Sequence, residues 1–337
     1  MNLPERFEQV LQNQKLILPG DKVFVACSGG PDSVALFYLL QNLEKKWNLK
    51  LCILHFNHKL RGAESDRDEK FVETLARKFH VRVIKGKPNR LLKPKSPKES
   101  LEEAARRMRY GFFAQAAKRH PILKVAVAHT QDDQAETILM RILQGTGLRG
   151  LGGIRSRLEM KGMTIVRPLL EFRKKEILDF LKAREFSFRN DRSNLSEKFV
   201  RNRIRHKLLP WLEKEFNPRV VPALARLPVI IKDENQLSDE LEDAAWKQVF
   251  NRRLGKRVYL NRKKFLNFLP ALQFRMLDRA LKRLDQQSGM SFDAWQKLKQ
   301  YLREARYRQS FPKDIDFVLT PSRLVVYKKF AGGYAGG

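Results

Sequence analysis

Apolar residues along the chain follow two rhythms. Short runs rich in β-branched and aromatic residues, Val23 to Cys27, Leu49 to Phe56, Val81 to Ile84, Val125 to Ala128 and Thr164 to Val166, read as strands. Between them lie longer stretches whose apolar positions recur every three or four residues: Leu3 to Leu16, Ser65 to Phe79, Glu99 to Arg119 and Gln131 to Leu143. These read as amphipathic helices. Val34 to Leu40 is apolar on nearly every side and reads as a buried helix. Regular alternation of strand and helix predicts an α/β fold, a parallel five-stranded sheet with helices on both faces. Gly86 to Lys98, rich in Pro and Lys, reads as an exposed mobile loop, and Gly145 to Gly153 as a glycine-rich one. Phe172 to Ala183 and Phe199 to Phe216 continue as helices, the second kinked at Pro210. Past Asn217-Pro218 the helical rhythm resumes over Asp233 to Phe250, Pro270 to Leu284 and Phe292 to Leu302. The expected organisation is a catalytic domain over residues 1–217, a smaller, mainly helical C-terminal domain over 218–311, and a terminal hairpin with a flexible tail over 312–337.

In such sheets ligands bind beyond the carboxyl ends of the strands, so polar clusters that directly follow strands are the candidates. The first is Ser28-Gly29-Gly30-Pro31-Asp32-Ser33. Adjacent glycines let backbone N–H groups approach a ligand, and the helix behind them adds its unpaired donors and positive dipole end. The loop suits a phosphate or pyrophosphate. It is not a Walker A loop, because no Gly-Lys-Ser/Thr closes it, and Asp32 stands where a lysine might have been. A carboxylate there makes sense if it holds a cation that bridges phosphates.

The second cluster is His55-Phe56-Asn57-His58-Lys59-Leu60-Arg61. With no cysteine and no third histidine nearby, metal binding is disfavoured; nucleotide contacts and loop packing stay open. The third is His129-Thr130-Gln131-Asp132-Asp133-Gln134-Ala135-Glu136. Asp132 and Glu136, four apart, share a helical face. Capping alone explains one acidic residue, not three with a histidine; the group suits Mg²⁺ or a substrate amine. Arg109 lies beside the apolar stripe of its helix, close to the sheet, and is favoured over Arg106 and Arg107 for a phosphate contact.

Charge sharpens the picture. The chain of 337 residues carries 68 Lys and Arg against 37 Asp and Glu, a net +31 present in both halves. That imbalance points to a polyanion, nucleic acid rather than membrane. The two cysteines, Cys27 and Cys52, fall in strands and build neither a disulfide framework nor a zinc site. With no signal peptide and no span-length apolar run, a cytoplasmic location is expected.

Taken together, these stretches resemble the PP-loop (N-type) ATP pyrophosphatases, and within them the tRNA(Ile)-lysidine synthetases. The similarity runs in order from about Val23 to Trp211. It includes Ser28 to Ser33, His55 to Arg61, Ala105 to Phe113, Ala128 to Thr137, Gly145 to Leu151, Arg167 to Leu170, Asp191 to Asn194 and Arg201 to His206. The resemblance implies a ligase that forms a C–N bond. ATP adenylates the C2 carbonyl oxygen of the wobble cytidine in an isoleucine tRNA with a CAU anticodon, and pyrophosphate leaves. The ε-amine of free L-lysine then attacks C2 and displaces AMP. On this reading Ser28, Gly29, Gly30, Pro31, Asp32, Ser33 and His55 bind ATP, and Asp32 holds Mg²⁺. Arg109 stabilises charge at the α-phosphate or activated base. Asp133, with Asp132 and Glu136, orients the lysine amine or a cation. Arg201 and Arg205, four apart beside Val200, Ile204, Leu208 and Trp211, reach toward the site or the RNA. Arg252-Arg253, Lys256-Arg257 and Arg262-Lys263-Lys264 would orient tRNA by phosphate contacts. A homodimer is left open. The competing expectations are a PP-loop tRNA thiolase, which ordinarily recruits cysteines to carry sulfur, and a non-catalytic RNA-binding protein.

Overall fold

The computed structural model describes residues 1–59, 62–88, 100–120, 124–189, 199–284, 289–311 and 315–328. Leu60 and Arg61, most of the Gly86 to Lys98 loop, Asp191 to Asn194 and the tail from Ala331 lie outside the described residues. The chain divides into two compact units, Met1–Ile231 and Lys232–Gly337.

The first unit alternates as the apolar rhythm predicts: α1 (Leu3–Asn13), β1 (Lys22–Ala26), α2 (Pro31–Glu44), β2 (Lys50–Phe56), α3 (Ala63–Lys78), β3 (Arg82–Gly86), α4 (Leu101–Arg119), β4 (Lys124–Ala126), α5 (Gln131–Leu143), α6 (Leu148–Leu151), β5 (Arg157–Met160), β6 (Met163–Val166) and α7 (Lys174–Ala183). The sheet order is β3-β2-β1-β4-β6-β5. The five expected strands pair in parallel. The sixth, β5, runs antiparallel to β6. It is short and half polar, so its rhythm is weak. Its evidence lay in the turn, where Lys161 and Gly162 both take positive φ, 51° and 76°. That geometry matches the twist of a two-residue hairpin.

Neighbouring residues of β1 serve opposite faces. Val23 and Val25 join α1, α2 and α7 in one apolar cluster, built around Phe7, Phe37 and Phe172. Phe24 joins Tyr110, Phe113 and Ala117 of α4 in a second. Covering both faces is what a parallel sheet requires, and it leaves the strand ends as the free edge.

Beyond α7 come α8 (Val200–Arg203), a π-helical turn (Ile204–Leu208) and α9 (Leu209–Glu215). The expected single helix is thus interrupted just before Pro210. Proline has no N–H to continue the ladder, and a π turn absorbs the mismatch. Ile204, Leu209 and Val221 pack on Ala135 of α5. A 30-residue helix, α10 (Val220–Val249), follows.

The second unit contains the expected helices α12 (Pro270–Leu284) and α13 (Phe292–Tyr301), together with a short α11 (Arg262–Leu266) that the apolar rhythm did not announce. It also contains a five-stranded antiparallel sheet in the order β7-β8-β11-β10-β9. Its strands are β7 (Phe250–Leu254), β8 (Arg257–Asn261), β9 (Tyr307–Phe311), β10 (Ile315–Leu319) and β11 (Arg323–Lys328). The unit is therefore mixed, and the expected hairpin of β10 and β11 is its centre rather than an appendage. The edge strands β7 and β9 were obscured because Arg252, Arg253, Arg308 and Gln309 break their apolar alternation. Charged edges of this kind suppress strand addition. One basic residue is corrected by burial. Arg262 is only 4% exposed, and its guanidinium donates to the carbonyls of Leu302, Glu304, Ala305 and Thr320. It holds loop ends together and does not face a phosphate.

Candidate active site

The turn from β1 into α2 is wound by its own side chains. Gly29 sits at φ +92°, a conformation L side chains rarely adopt, with Phe71 and Val72 of α3 behind it. The Ser33 hydroxyl donates to the Gly30 carbonyl at 2.9 Å and accepts from the Ser28 amide at 3.1 Å. The Ser28 hydroxyl lies 3.2 Å from it. Both hydroxyls thus help to shape the loop. The loop enters α2 through Gly30 at the N-cap and Pro31 in the first turn, with Asp32 beside it. Proline costs nothing there, since first-turn amides have no intrahelical partner.

Asp133 reaches the same place from the β4 end. It closes a capping box with Thr130, accepting from the Thr130 amide at 2.9 Å and its hydroxyl at 3.0 Å. The capping expected of an acidic residue at this helix start is therefore realised. The other Asp133 oxygen accepts from Arg201 and Arg205, each at 3.2 Å. Glu136, one turn on and fully buried, accepts from Arg201 at 2.8 Å and from Arg205 at 2.6 and 2.8 Å. The spacing of Arg201 and Arg205 places both on one face despite the π turn between them.

Lys174, the first residue of α7, joins the two halves. Its ammonium stands 3.9 Å from Asp32 and 3.8 Å from Asp133. Asp132 is drawn outward. It accepts from the Lys174 amide at 2.8 Å and pairs with Arg173 at 3.2 Å. It braces α7 and does not share Glu136's partners, because one turn of helix points the two carboxylates at different neighbours. Three carboxylates, Asp32, Asp133 and Glu136, thus face three cations, Lys174, Arg201 and Arg205.

The electrostatics differ sharply within this set. Burial pushes the Asp32 carboxyl up to about 6, with Lys174 opposing the rise and Asp133 adding to it. Burial also penalises Asp133, but Lys174 and Arg201 outweigh it and hold that carboxyl well below the usual range. Burial lowers Arg205, yet Glu136 and Asp133 outweigh it and keep the guanidinium charged. One carboxylate is locked in its charged form, and the other titrates close to neutrality.

A basic layer lines the ends of β2, β4 and β6. The His129 ring accepts from Arg167 at 3.2 Å and has Arg106 at 3.4 Å. Burial drives its pKa down to about 3, with Arg167, Arg106 and Arg109 adding to the fall against Asp133. His58 falls to about 4 through burial and the neighbouring Arg109 charge. The Arg109 charge thus bears on both histidines. His55 is 3% exposed and contacts the Cys27 carbonyl through Nδ1 at 2.9 Å. Its buried Nε2 has no hydrogen-bond partner among the described residues.

Among the described residues no group of three or more His, Cys, Asp or Glu side chains forms a ready-made metal cage. Mg²⁺ does not need one. It is bound ordinarily by one or two carboxylates together with waters and substrate phosphates, and Asp32 beside the loop offers that donor type.

The family model of the PP-loop domain matches residues 2–212, which contain every element of this cluster. The chain belongs to the PP-loop family. The curated relatives it resembles include a protein named tRNA(Ile)-lysidine synthase from Clostridioides difficile. That relative is 33% identical over 281 residues, 82% of this chain and 60% of its own length. A protein of the same name from Geobacter sulfurreducens is 43% identical over 228 residues, 67% of this chain and 47% of its own. The chain thus spans roughly half to three-fifths of the length of these relatives. Among solved structures, the U34-tRNA thiolase NcsA from Methanococcus maripaludis superposes with a TM-score of 0.57 at 18% identity. It covers 68% of this chain and 78% of that one, and shows that the PP-loop fold is shared.

Asp32, Asp133, Glu136, Arg201 and Arg205 are brought together; Asp132 is adjacent and turned aside; Arg109 and His55 lie in the basic layer. Sequence reasoning missed Lys174 and Arg173, and named the Arg167 to Leu170 stretch without giving the buried Arg167 a role. A signal existed, since Arg167 directly follows β6 and Lys174 opens the next helix, a strand-end position like the others. The apolar stripe beside Arg201 and Arg205 also behaves differently from expectation. Ile204 is 2% exposed, but Val200 and Trp211 remain 45% and 51% exposed.

Proposed function

We propose that this PP-loop protein is an ATP-dependent tRNA(Ile)-lysidine synthetase, a ligase that joins free L-lysine to C2 of the wobble cytidine of a CAU-anticodon isoleucine tRNA. The observation that carries the reading is the meeting of Asp32 and Asp133, from two different strand ends, on one primary ammonium, that of Lys174. An acidic pair that accommodates one lysine ammonium has the chemistry to accommodate the substrate's amine.

The roles follow from the surroundings. The backbone of Ser28 to Ser33, through those amides that carry a free N–H, and the α2 N-terminus cradle the β- and γ-phosphates. Asp32 would hold Mg²⁺, which, when bound, neutralises phosphate charge; a cation there would relieve the burial that makes Asp32 costly to ionise. Arg109 stabilises charge at the α-phosphate or the activated base, in a layer where His58 and His129 stay neutral. Asp133, permanently charged, and Glu136 orient the incoming amine, held in place by Arg201 and Arg205. His55 offers to the nucleotide its Nε2, which has no hydrogen-bond partner among the described residues. Among the described residues no helix is long and apolar enough to cross a membrane, which suits a cytoplasmic enzyme.

A thiolase reading needs accessible thiols, and both cysteines are buried, Cys27 at 2% and Cys52 at 5% exposure. A purely RNA-binding role gives no reason to keep Asp32 in a site that opposes its ionisation. The test is incorporation of labelled lysine into isoleucine tRNA with ATP, with AMP and pyrophosphate followed in parallel. Asp32→Ala and Asp133→Ala should abolish AMP formation while tRNA binding persists. Turnover unchanged in either variant refutes the role given to that residue, and lysine-independent transfer of sulfur would replace the reading altogether.

A further inference from the structure

The helical segment that carries Arg201 and Arg205 has a second working face. An open groove of about 530 Å³ runs between it and the end of α5, lined by Leu143, Val200, Ile204 and Trp211 with Arg203 and Lys207. That volume lies in the range of ligand clefts, about 300–1,000 Å³. Leu143 is 65% exposed and Trp211 51%, and Phe216 packs edge-on against Trp211 with ring centroids 4.8 Å apart. A cluster of exposed large apolar side chains marks a binding surface, whereas single ones need no explanation.

We propose that this groove seats an unpaired nucleotide of the RNA substrate, its base stacked on Trp211 and its phosphates against Arg203 and Lys207. The proposal rests on the reading of the protein as a tRNA-modifying enzyme and adds a location to it. Three observations carry it. First, the described lining residues include two cations and no carboxylate, in a chain of net charge +31. Aromatic faces interleaved with cations are how proteins hold single-stranded nucleic acid. Second, a second copy of the chain is disfavoured, because it would bring the same cations face to face. Third, the groove lies on the other side of the same helical segment that faces the candidate active site. Arg203 and Lys207 each lie two residues beyond an arginine that faces Glu136, roughly half a helical turn away. The groove therefore begins within a helix diameter, about 10–12 Å, of the carboxylates. Nucleotides flanking a base held in the cleft come within its reach.

The fluorescence of the protein isolates this face. Of the four tryptophans, Trp47, Trp246 and Trp295 are 4–6% exposed, and Trp211 alone is accessible. The experiment compares a hairpin RNA whose loop carries CAU with a fully paired duplex of equal length. Expected are quenching of Trp211 emission and its protection from acrylamide by the hairpin only. Trp211→Ala should weaken hairpin binding roughly 5- to 150-fold, the range for loss of one stacked base, and leave duplex binding unchanged. Arg203→Glu should weaken both. Lysine incorporation into intact tRNA is scored alongside. If Trp211 stays equally accessible with hairpin bound, or Trp211→Ala binds normally, the groove is not the nucleotide site, and continued lysine incorporation by the wild type leaves the catalytic reading standing. Wild-type protein that binds neither RNA nor incorporates lysine overturns both. Self-association abolished by Trp211→Ala would assign the groove to a second copy and overturn the proposal.

Discussion

Replacing Asp32 with asparagine should make the protein more stable at neutral pH and inactive. The carboxyl, ordinarily titrating near 3.8, titrates here at about 6, chiefly because burial disfavours its charge. At 1.36 kcal/mol per pH unit, ionising it in the folded protein costs about 3 kcal/mol more than in the unfolded chain. The side chain keeps 24% exposure, and water access reduces the figure to about 2–3 kcal/mol. Attraction to Lys174 is already inside that net value. The sign follows from linkage. A carboxyl whose folded pKa is raised costs nothing below 3.8, where it is protonated in both states. The cost grows as pH rises from about 4 to 6 and is full above that. Asparagine carries no charge, so Asp32→Asn removes the cost. Urea denaturation without nucleotide should show the variant about 2–3 kcal/mol more stable at pH 7, about half that at pH 5, and equal to wild type below pH 4. For a unit of this size, Met1–Ile231, that corresponds to a Tm higher by about 4–12 °C at neutral pH. AMP release should be absent. A variant no more stable than wild type at pH 7, or a difference that ignores pH, would show that Asp32 is not held in an environment hostile to its charge.

Two other substitutions probe the frame around it. Glu136→Ala leaves two guanidinium groups facing one carboxylate, and removing one partner of a buried ion pair costs about 3–5 kcal/mol. The arginine side chains keep 21% and 22% exposure, so about 2–4 kcal/mol is expected by chemical denaturation, with Glu136→Gln intermediate; an alanine variant as stable as wild type contradicts the network. At Gly153, φ is +58° and an added Cβ would lie 2.5 Å from Gln134 Oε1 and 2.6 Å from a Pro228 ring carbon. Gly153→Ala should therefore cost about 1–3 kcal/mol in thermal unfolding, and an unshifted melt would mean the loop relaxes freely.

Most of the first unit was legible because both faces of its sheet are covered. Covered faces demand near-continuous apolar strands, which stand out against amphipathic helices. Strand β5 and the edge strands of the second unit were not legible, since an edge strand is half solvated and carries charge where the pattern asks for apolar residues. The same contrast holds within the candidate site. The glycine turn, Asp32, Asp133 and Glu136 announce themselves by position after strands, and Arg201 and Arg205 by their spacing of four. Arg262 looked like one member of a basic run and proved to be a buried tie between carbonyls.

Taken alone, the order of residues determined the alternation of elements, the strand-end location of the candidate groups and the chain's own excess of positive charge. These are local properties of periodicity, turn chemistry and composition. Only the tertiary structure decided that Lys174 stands between Asp32 and Asp133, that Asp132 turns away, and that Trp211 stays uncovered beside an open groove. Each of these depends on which chain segments meet across the sheet ends. Burial then separates two chemically identical carboxyls, Asp32 and Asp133, by the charges it places beside them.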